Sequence, residues 1–153
     1  MPTAPPTEGR GKARADDCDL NLMDALAQLS FMVQGALAKR AADQDLSLIQ
    51  TRLLGVLRDR RPTMQEVAQL LELDKSSVTG LINRAERRGL VQRSPSSEDR
   101  RSVHVTLSPV GRRVAQKVVR AFQHDIDAAT AHLTKAERDR LRQLAASVVA
   151  EAG

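Results

Sequence analysis

Hydrophobic residues recur at helical spacing from residue 20 onward. Leucine and valine side chains lie three or four positions apart at Leu22, Leu26, Leu29, Val33 and Leu37. This spacing predicts one long helix with an apolar stripe that needs a partner. Residues 1–19 carry prolines, glycines and mixed charges without hydrophobic periodicity, so we expect a flexible tail there.

Capping motifs predict three further helices before residue 90. Residues 47–50 and 63–66 have the form of capping boxes, in which each end residue's side chain bonds the backbone amide of the other. Asp74 is placed to cap the third helix, and Gly89 suits the left-handed position that follows a helix end. Three short capped helices in this order predict a helix-turn-helix.

The third of these helices divides into two faces at 100° per residue. One face is apolar and is predicted to point inward, with Val78, Leu81, Ile82 and Ala85. The opposite face is small, polar and basic, with Ser76, Thr79, Gly80, Asn83, Arg84 and Arg87. Small residues allow close approach to a DNA major groove, where Asn can pair with adenine and Arg with guanine. Any soluble helix exposes such residue types, so the interpretation depends on the whole face in its setting.

A two-stranded hairpin is predicted after the third helix. Val91 and Arg93 begin a strand, and after a polar turn the residues alternate between apolar and polar from Val103 to Leu107. Arg100 and Arg101 lie near the tip, where an arginine can enter a narrow minor groove and be attracted by its negative potential. Such a hairpin is the wing of a winged helix.

The remaining sequence predicts two more helices. Ser108 and Pro109 are suited to begin a long helix, and residues 134–137 form another capping box before a last helix with apolar positions at Leu141, Leu144 and Val148. With the first helix, they offer more apolar surface than one small winged helix covers. A two-fold helical interface between two copies of the chain would bury this apolar surface. It would also place the two DNA-binding regions roughly 34 Å apart, about one turn of DNA. Packing within one chain is the alternative.

Composition agrees with a mainly helical DNA-binding protein. The 153 residues include two Phe and no Tyr or Trp, while 41% are apolar. Ten Lys or Arg against three acids between residues 84 and 120 give that segment a net charge of +7, whereas the whole chain carries +5. Concentrated positive charge beside a helix-turn-helix is expected where phosphates are bound. A solvated basic face is the alternative interpretation.

Several other functions are not expected. No apolar run reaches the roughly 18 residues of a membrane span, and the N-terminus lacks a secretion signal, so we expect a cytoplasmic protein. The motifs contain no convergent nucleophile, base or metal cluster, so we expect no enzyme, cofactor or metal site. His124 and His132 would need further ligands to hold a metal ion.

Three segments together resemble the MarR family of bacterial transcriptional regulators. These are the recognition-helix run from Leu73 to Val91, the wing triplet Asp99-Arg100-Arg101, and the strand-to-helix turn from Val105 to Gly111. The resemblance spans roughly residues 20–153. It implies a homodimer that binds a pseudo-palindromic operator on double-stranded DNA, usually as a repressor released by a small molecule or an oxidant.

The resemblance also assigns DNA contacts. It places Ser76, Ser77, Thr79, Asn83 and Arg84 in the major groove. It assigns minor-groove or backbone contact to Arg100 and Arg101, with Asp99 orienting an arginine. With Lys75 and Arg87 from the same helix, these are the expected DNA-binding residues.

The signal that such a regulator would sense is less defined by the sequence. Ligand-binding relatives have a pocket between the dimer helices and the winged helix, which here would draw on Phe31, Met32, Phe122 or His124. A peroxide-sensing branch carries a reactive cysteine early in the first helix, where this chain has Ser30 and Phe31. Its one cysteine, Cys18, lies in the tail and is expected to be a mobile free thiol, which does not favour sensing of that type. A thiol-based redox regulator is therefore kept only as an alternative. A winged helix used only for protein interaction is another.

The predicted architecture is mainly α with a small β-hairpin wing: a winged helix-turn-helix plus a helical dimerisation region. Residues 1–19 form the tail, 20–46 the first dimerisation helix, 47–108 the DNA-binding region and 109–153 the C-terminal dimerisation helices. Residues 20–153 are expected to form one structural domain.

Overall fold

The computed structural model describes residues 20–95 and 102–152, and every structural statement below concerns these residues. They form six helices and one hairpin, in the order α1 (Leu22–Ala42), α2 (Leu48–Asp59), α3 (Met64–Leu71), α4 (Lys75–Arg87), β1 (Val91–Pro95), β2 (Val103–Leu107), α5 (Pro109–Ala129) and α6 (Lys135–Ala152). The predicted mainly helical fold with a small hairpin is confirmed.

The predicted helix caps are present. In the box before α3, the Thr63 amide donates to Oε2 of Glu66 at 2.6 Å, and the Glu66 amide donates to Oγ1 of Thr63 at 3.3 Å. The corresponding box before α2 is also complete. Gly89 follows α4 with a φ of +67°, a conformation that glycine adopts without steric cost. These local bonds define the short helices of the helix-turn-helix because they satisfy amides that have no partner inside the helix.

The core lies where α2, α3 and α4 meet the hairpin. Its fully buried side chains come from all four elements and include Leu53, Val67, Leu81, Ile82 and Val105. β1 and β2 are antiparallel, with Val91 opposite Leu107 and Pro95 opposite Val103. The segment before α3 extends this sheet, because the Val105 amide donates to the carbonyl of Pro62 at 2.9 Å. The wing is therefore fixed to the helix-turn-helix at its base.

The start of α5 lies against the end of α4. The Ser108 hydroxyl donates to the Gly89 carbonyl at 2.5 Å and accepts the Gly111 amide at 2.9 Å. A Cβ placed on Gly111 would lie 1.8 Å from the carbonyl oxygen of Leu90. Only glycine fits this approach. The buried residues of α5 are Gly111, Ala115 and Val118, whereas Val110 is exposed.

α1 and α6 leave much of their apolar surface exposed. The C-terminal part of α1 packs on α5, where Arg40 donates through Nε and Nη2 to both carboxylate oxygens of Asp125, each at 2.6 Å. The N-terminal part of α1 is more exposed to solvent: the side chains of Leu22 and Phe31 are 76% and 73% exposed. All described side chains from residue 134 to residue 151 are exposed, including three apolar positions of α6, namely Leu141, Leu144 and Val148.

Candidate nucleic-acid interface

The two faces of α4 are separated as the sequence predicts. Its apolar side chains are at most 1% exposed and pack into the core: Val78, Leu81, Ile82 and Ala85. The candidate DNA-binding side chains of the helix are all exposed: Lys75, Ser76, Ser77, Thr79, Asn83, Arg84 and Arg87. The structure thus gathers these seven residues on one helix, held by a rigid apolar face on its other side.

Asp74 organises the N-terminal end of this surface. Its carboxylate accepts the hydroxyls of Ser76 and Ser77, each at 2.5 Å, together with the Ser77 amide at 2.9 Å. These hydrogen bonds hold the pKa of the Asp74 carboxyl well below its usual range. Because both serine hydroxyls donate their hydrogen to Asp74, their outward lone pairs are left to act as acceptors.

The middle of the surface is shaped by Gly80. A Cβ at this position would lie 3.2 Å from Nη1 of Arg84, so the guanidinium group rests beside the glycine. The Thr79 hydroxyl donates to the Lys75 carbonyl at 2.8 Å and remains on the exposed side. Gly80 therefore leaves room for the Arg84 side chain along the helix, a role that the sequence pattern did not indicate.

The C-terminal half of the surface is connected to the wing by Arg93. From β1, its Nη1 donates to Oε2 of Glu86 at 2.6 Å and its Nη2 donates to Oδ1 of Asn83 at 2.7 Å. Both partners lie on α4. Arg93 was not among the predicted site residues, although its position opposite the end of α4 brings it into contact with one of them.

Another arginine of the basic segment is engaged in holding the fold. Nη1 of Arg88 donates to the carbonyl of Asp45 at 2.6 Å, and Nη2 donates to the carbonyl of Gln44 at 3.3 Å. Arg88 thus fixes the turn between α1 and α2 to the end of α4. Both Arg88 and Arg93 therefore have partners within the chain, and of these two side chains Arg93 is the one paired with a carboxylate.

The wing candidates Asp99, Arg100 and Arg101 lie outside the described residues, as does Cys18. The strands that lead to the wing tip are described and are paired as far as Pro95 and Val103. The contact roles of the three wing residues remain predictions.

The predicted effector residues are not brought together. An apolar cavity of about 180 Å³ lies among α1, α2 and α5, and its lining includes Leu37, Thr51, Leu54, Val118 and Phe122. Phe122 is the one predicted effector residue in that lining. Phe31 and Met32 are exposed on α1, and His124 is exposed on α5.

Within residues 20–95 and 102–152, no three His, Cys, Asp or Glu side chains are grouped as ligands for a metal ion. None of the helices in this part of the chain combines the length and apolar character needed to cross a bilayer.

The helix-turn-helix segment of this chain is similar in sequence to a known protein family. Residues 44–102 match the sequence profile of the MarR family. The HTH-type transcriptional repressor NicR of Pseudomonas putida is 31% identical over 101 residues, covering 65% of this chain and 64% of NicR. YwhA, an uncharacterized HTH-type transcriptional regulator of Bacillus subtilis, is 33% identical over 76 residues, covering 50% of this chain and 55% of YwhA. The chain thus spans between half and two thirds of the length of these relatives.

The fold comparison covers more of the chain. A transcriptional regulator from Thermotoga maritima superimposes with a TM-score of 0.65 at 26% identity, over 82% of this chain and 89% of that one. The agreement includes helices outside the segment that matches the family profile. The recognition-helix pattern, the profile match over residues 44–102 and the shared winged-helix fold agree in one conclusion: this chain is similar to the MarR family in its sequence and its fold.

Proposed function

We propose that this chain is a sequence-specific regulator of transcription that binds double-stranded DNA as a homodimer. The observation that carries the proposal is the exposed polar and basic face of α4, backed by four side chains that are at most 1% exposed. A helix held in this way can enter a major groove without losing its own packing. Its serine, threonine, asparagine and arginine side chains offer the groups that bind base edges and phosphates.

The dimer part of the proposal is supported by the uncovered apolar surface of α1 and α6. Hydrophobic surface of this extent is costly to leave in water. A second copy related by a two-fold axis would cover the same faces on both chains and present two α4 helices to successive turns of DNA. In this proposal residues 20–46 and 109–153 dimerise, while residues 47–108 bind DNA.

The regulatory part of the proposal is repression relieved by a small molecule. The cavity among α1, α2 and α5 lies between the helices assigned to dimerisation and the helix-turn-helix. Its lining is predominantly apolar, and its volume of about 180 Å³ suits a small aromatic or aliphatic compound. A compound bound there would contact elements of both regions and can therefore favour one arrangement of them over another.

Binding to duplexes enriched from fragmented genomic DNA tests the main proposal. Fluorescence anisotropy should show affinity that falls steeply with added salt, because bound Lys and Arg release counterions from the phosphates. Arg84→Ala should weaken binding by about tenfold. Arg120→Ala removes the same charge from an exposed site on α5 and serves as the matched control.

A protein that enriched no duplex, or whose affinity did not respond to salt, would contradict DNA regulation and favour a winged helix that binds proteins. The effector proposal has a separate test. A library of small aromatic compounds is screened for an increase in melting temperature, since a ligand that binds only the folded state stabilises it.

A further inference from the structure

Arg93 forms two hydrogen bonds with α4, and one of them is to Asn83, a residue of the proposed DNA-binding surface. Its guanidinium group donates to Glu86 at 2.6 Å and to Asn83 at 2.7 Å, and all three residues lie at the junction of α4 and the wing. Glu86 and Arg93 also form an ion pair. The Glu86 carboxylate therefore fixes the arginine, and the arginine fixes the asparagine.

The chemistry of arginine determines which end of the Asn83 amide faces it. A guanidinium group carries only donors, so the atom it meets must be the carbonyl oxygen. The bond to Oδ1 is charge-assisted, which makes it stronger than a bond between neutral groups. The amide nitrogen is thereby directed away from Arg93, and both of its hydrogens are left for a further partner.

This orientation changes what Asn83 offers to a base. Pairing with adenine uses the asparagine oxygen and nitrogen together, one accepting from N6 and the other donating to N7. Arg93 occupies one of the two lone pairs of Oδ1, so Asn83 presents two free amide hydrogens against at most one remaining acceptor site. Guanine offers two acceptors, O6 and N7, and no donor at its major-groove edge.

We propose that Arg93 is a positioning residue that makes Asn83 a hydrogen-bond donor to the operator, so that the position read by Asn83 is guanine and not adenine. This inference rests on the proposed DNA-binding function and concerns its specificity. Glu86 contributes by neutralising Arg93 and by keeping it at Asn83 instead of at a phosphate.

Selection of binding sites from a pool of randomised duplexes tests the inference. The wild type and Asn83→Ala are compared first, and the base position that loses its preference in the variant is the one read by Asn83. We expect guanine there in the wild type. Arg93→Met should shift the preference at that position toward adenine by about fivefold or more and leave the other positions unchanged. Arg120→Met controls for the lost charge.

A second variant makes the test independent of how well Arg93→Met folds. Asn83→Asp keeps an oxygen for Arg93 and removes the donor, so it should lose the guanine preference at the same position. Adenine at that position in the wild type would overturn the inference. A loss of affinity in Arg93→Met that is equal for all sequences would also overturn it, since a merely structural arginine acts in that way. Failure of the wild type to enrich any duplex would instead reject the proposed function on which the inference depends.

Discussion

Gly111 shows how one residue determines the position of a whole helix. It lies in the first turn of α5, and the backbone of α5 approaches Leu90 so closely that no Cβ can be accommodated. The neighbouring Ser108 hydroxyl bonds groups on both sides of the same contact. These two residues join the end of α4 to the start of α5.

Replacing Gly111 with alanine should therefore destabilise the fold. We expect the free energy of unfolding to fall by about 1–3 kcal/mol, because the new methyl group meets backbone atoms that cannot move independently. Urea denaturation followed by circular dichroism measures the change. Gly55→Ala is the matched control, since a Cβ there meets nothing within 4 Å in the described structure, and it should leave stability equal or raise it by up to about 1 kcal/mol. Equal midpoints for Gly111→Ala and the wild type would contradict the proposed contact.

Asp74 allows a prediction about pH at the same scale. Its folded pKa is lowered by the hydrogen bonds from Ser76 and Ser77, whereas an unfolded aspartate has a pKa of about 3.9. The stabilisation that it contributes is therefore fully present above that unfolded value and is lost as the pH falls through the folded pKa. Asp74→Asn should be less stable than the wild type at pH 7.

The stability difference between Asp74→Asn and the wild type should then decrease as the pH is lowered from about 4. Chemical denaturation at pH 7, 5, 4 and 3 measures it. Asp139→Asn removes a carboxylate from an exposed position in α6 and controls for the general effect of charge. A difference that stays constant over this range would show that the Asp74 charge does not stabilise the cap.

At the scale of elements, both strands of the wing are bonded to the helix-turn-helix, β1 through Arg93 and β2 through Val105. Arg93 bonds two residues of α4, and the base of the wing is bonded to the segment before α3. A wing held in this way has a defined position relative to the recognition helix.

The wing prediction concerns Arg100 and Arg101. Replacing both with alanine should weaken duplex binding by about tenfold or more and make the affinity less dependent on salt, because two cationic contacts are lost. Anisotropy titrations at several salt concentrations measure both effects. Circular dichroism and the molar mass should be unchanged. Unaltered affinity at moderate salt would remove the wing from the proposed interface.

At the scale of the whole molecule, the hydrophobic residues fall into two groups: those buried in the core, and those exposed on α1 and α6. The winged helix buries most of its large hydrophobic residues, while α1 and α6 leave most of theirs exposed within one chain. The ion pair of Arg40 with Asp125 holds the C-terminal part of α1 to α5. This arrangement supports assembly through the terminal helices.

Charged substitutions on α6 test that assembly. Leu144→Asp combined with Val148→Asp should convert the proposed dimer into a monomer, because two unpaired carboxylates cannot be buried in an apolar interface without a large cost. Light scattering after gel filtration measures the molar mass. Gln143→Asp adds a charge to the same helix at an exposed polar position and should remain a dimer. A wild type of monomer mass would exclude the proposed interface.

The sequence by itself determined the local features of this protein. The capping boxes, the glycine after α4 and the two faces of α4 depend on residues three or four positions apart, so their patterns are readable along the chain. The net charge of the basic segment can also be counted from the sequence, but which of its arginines are bonded within the fold cannot. Nothing in the local pattern shows that Arg88 would bond the carbonyl of Asp45, 43 residues earlier.

Only the tertiary structure decided which side chains are bonded within the chain and which remain available to bind a partner. Arg93 meets Asn83 because β1 turns back along α4, and Arg40 meets Asp125 across 85 residues because α1 packs on α5. The same packing buries the core of the winged helix and leaves hydrophobic residues of α1 and α6 exposed. These outcomes depend on the distances between whole elements, which are set by how side chains fill the space between them and not by the order of residues within any one element.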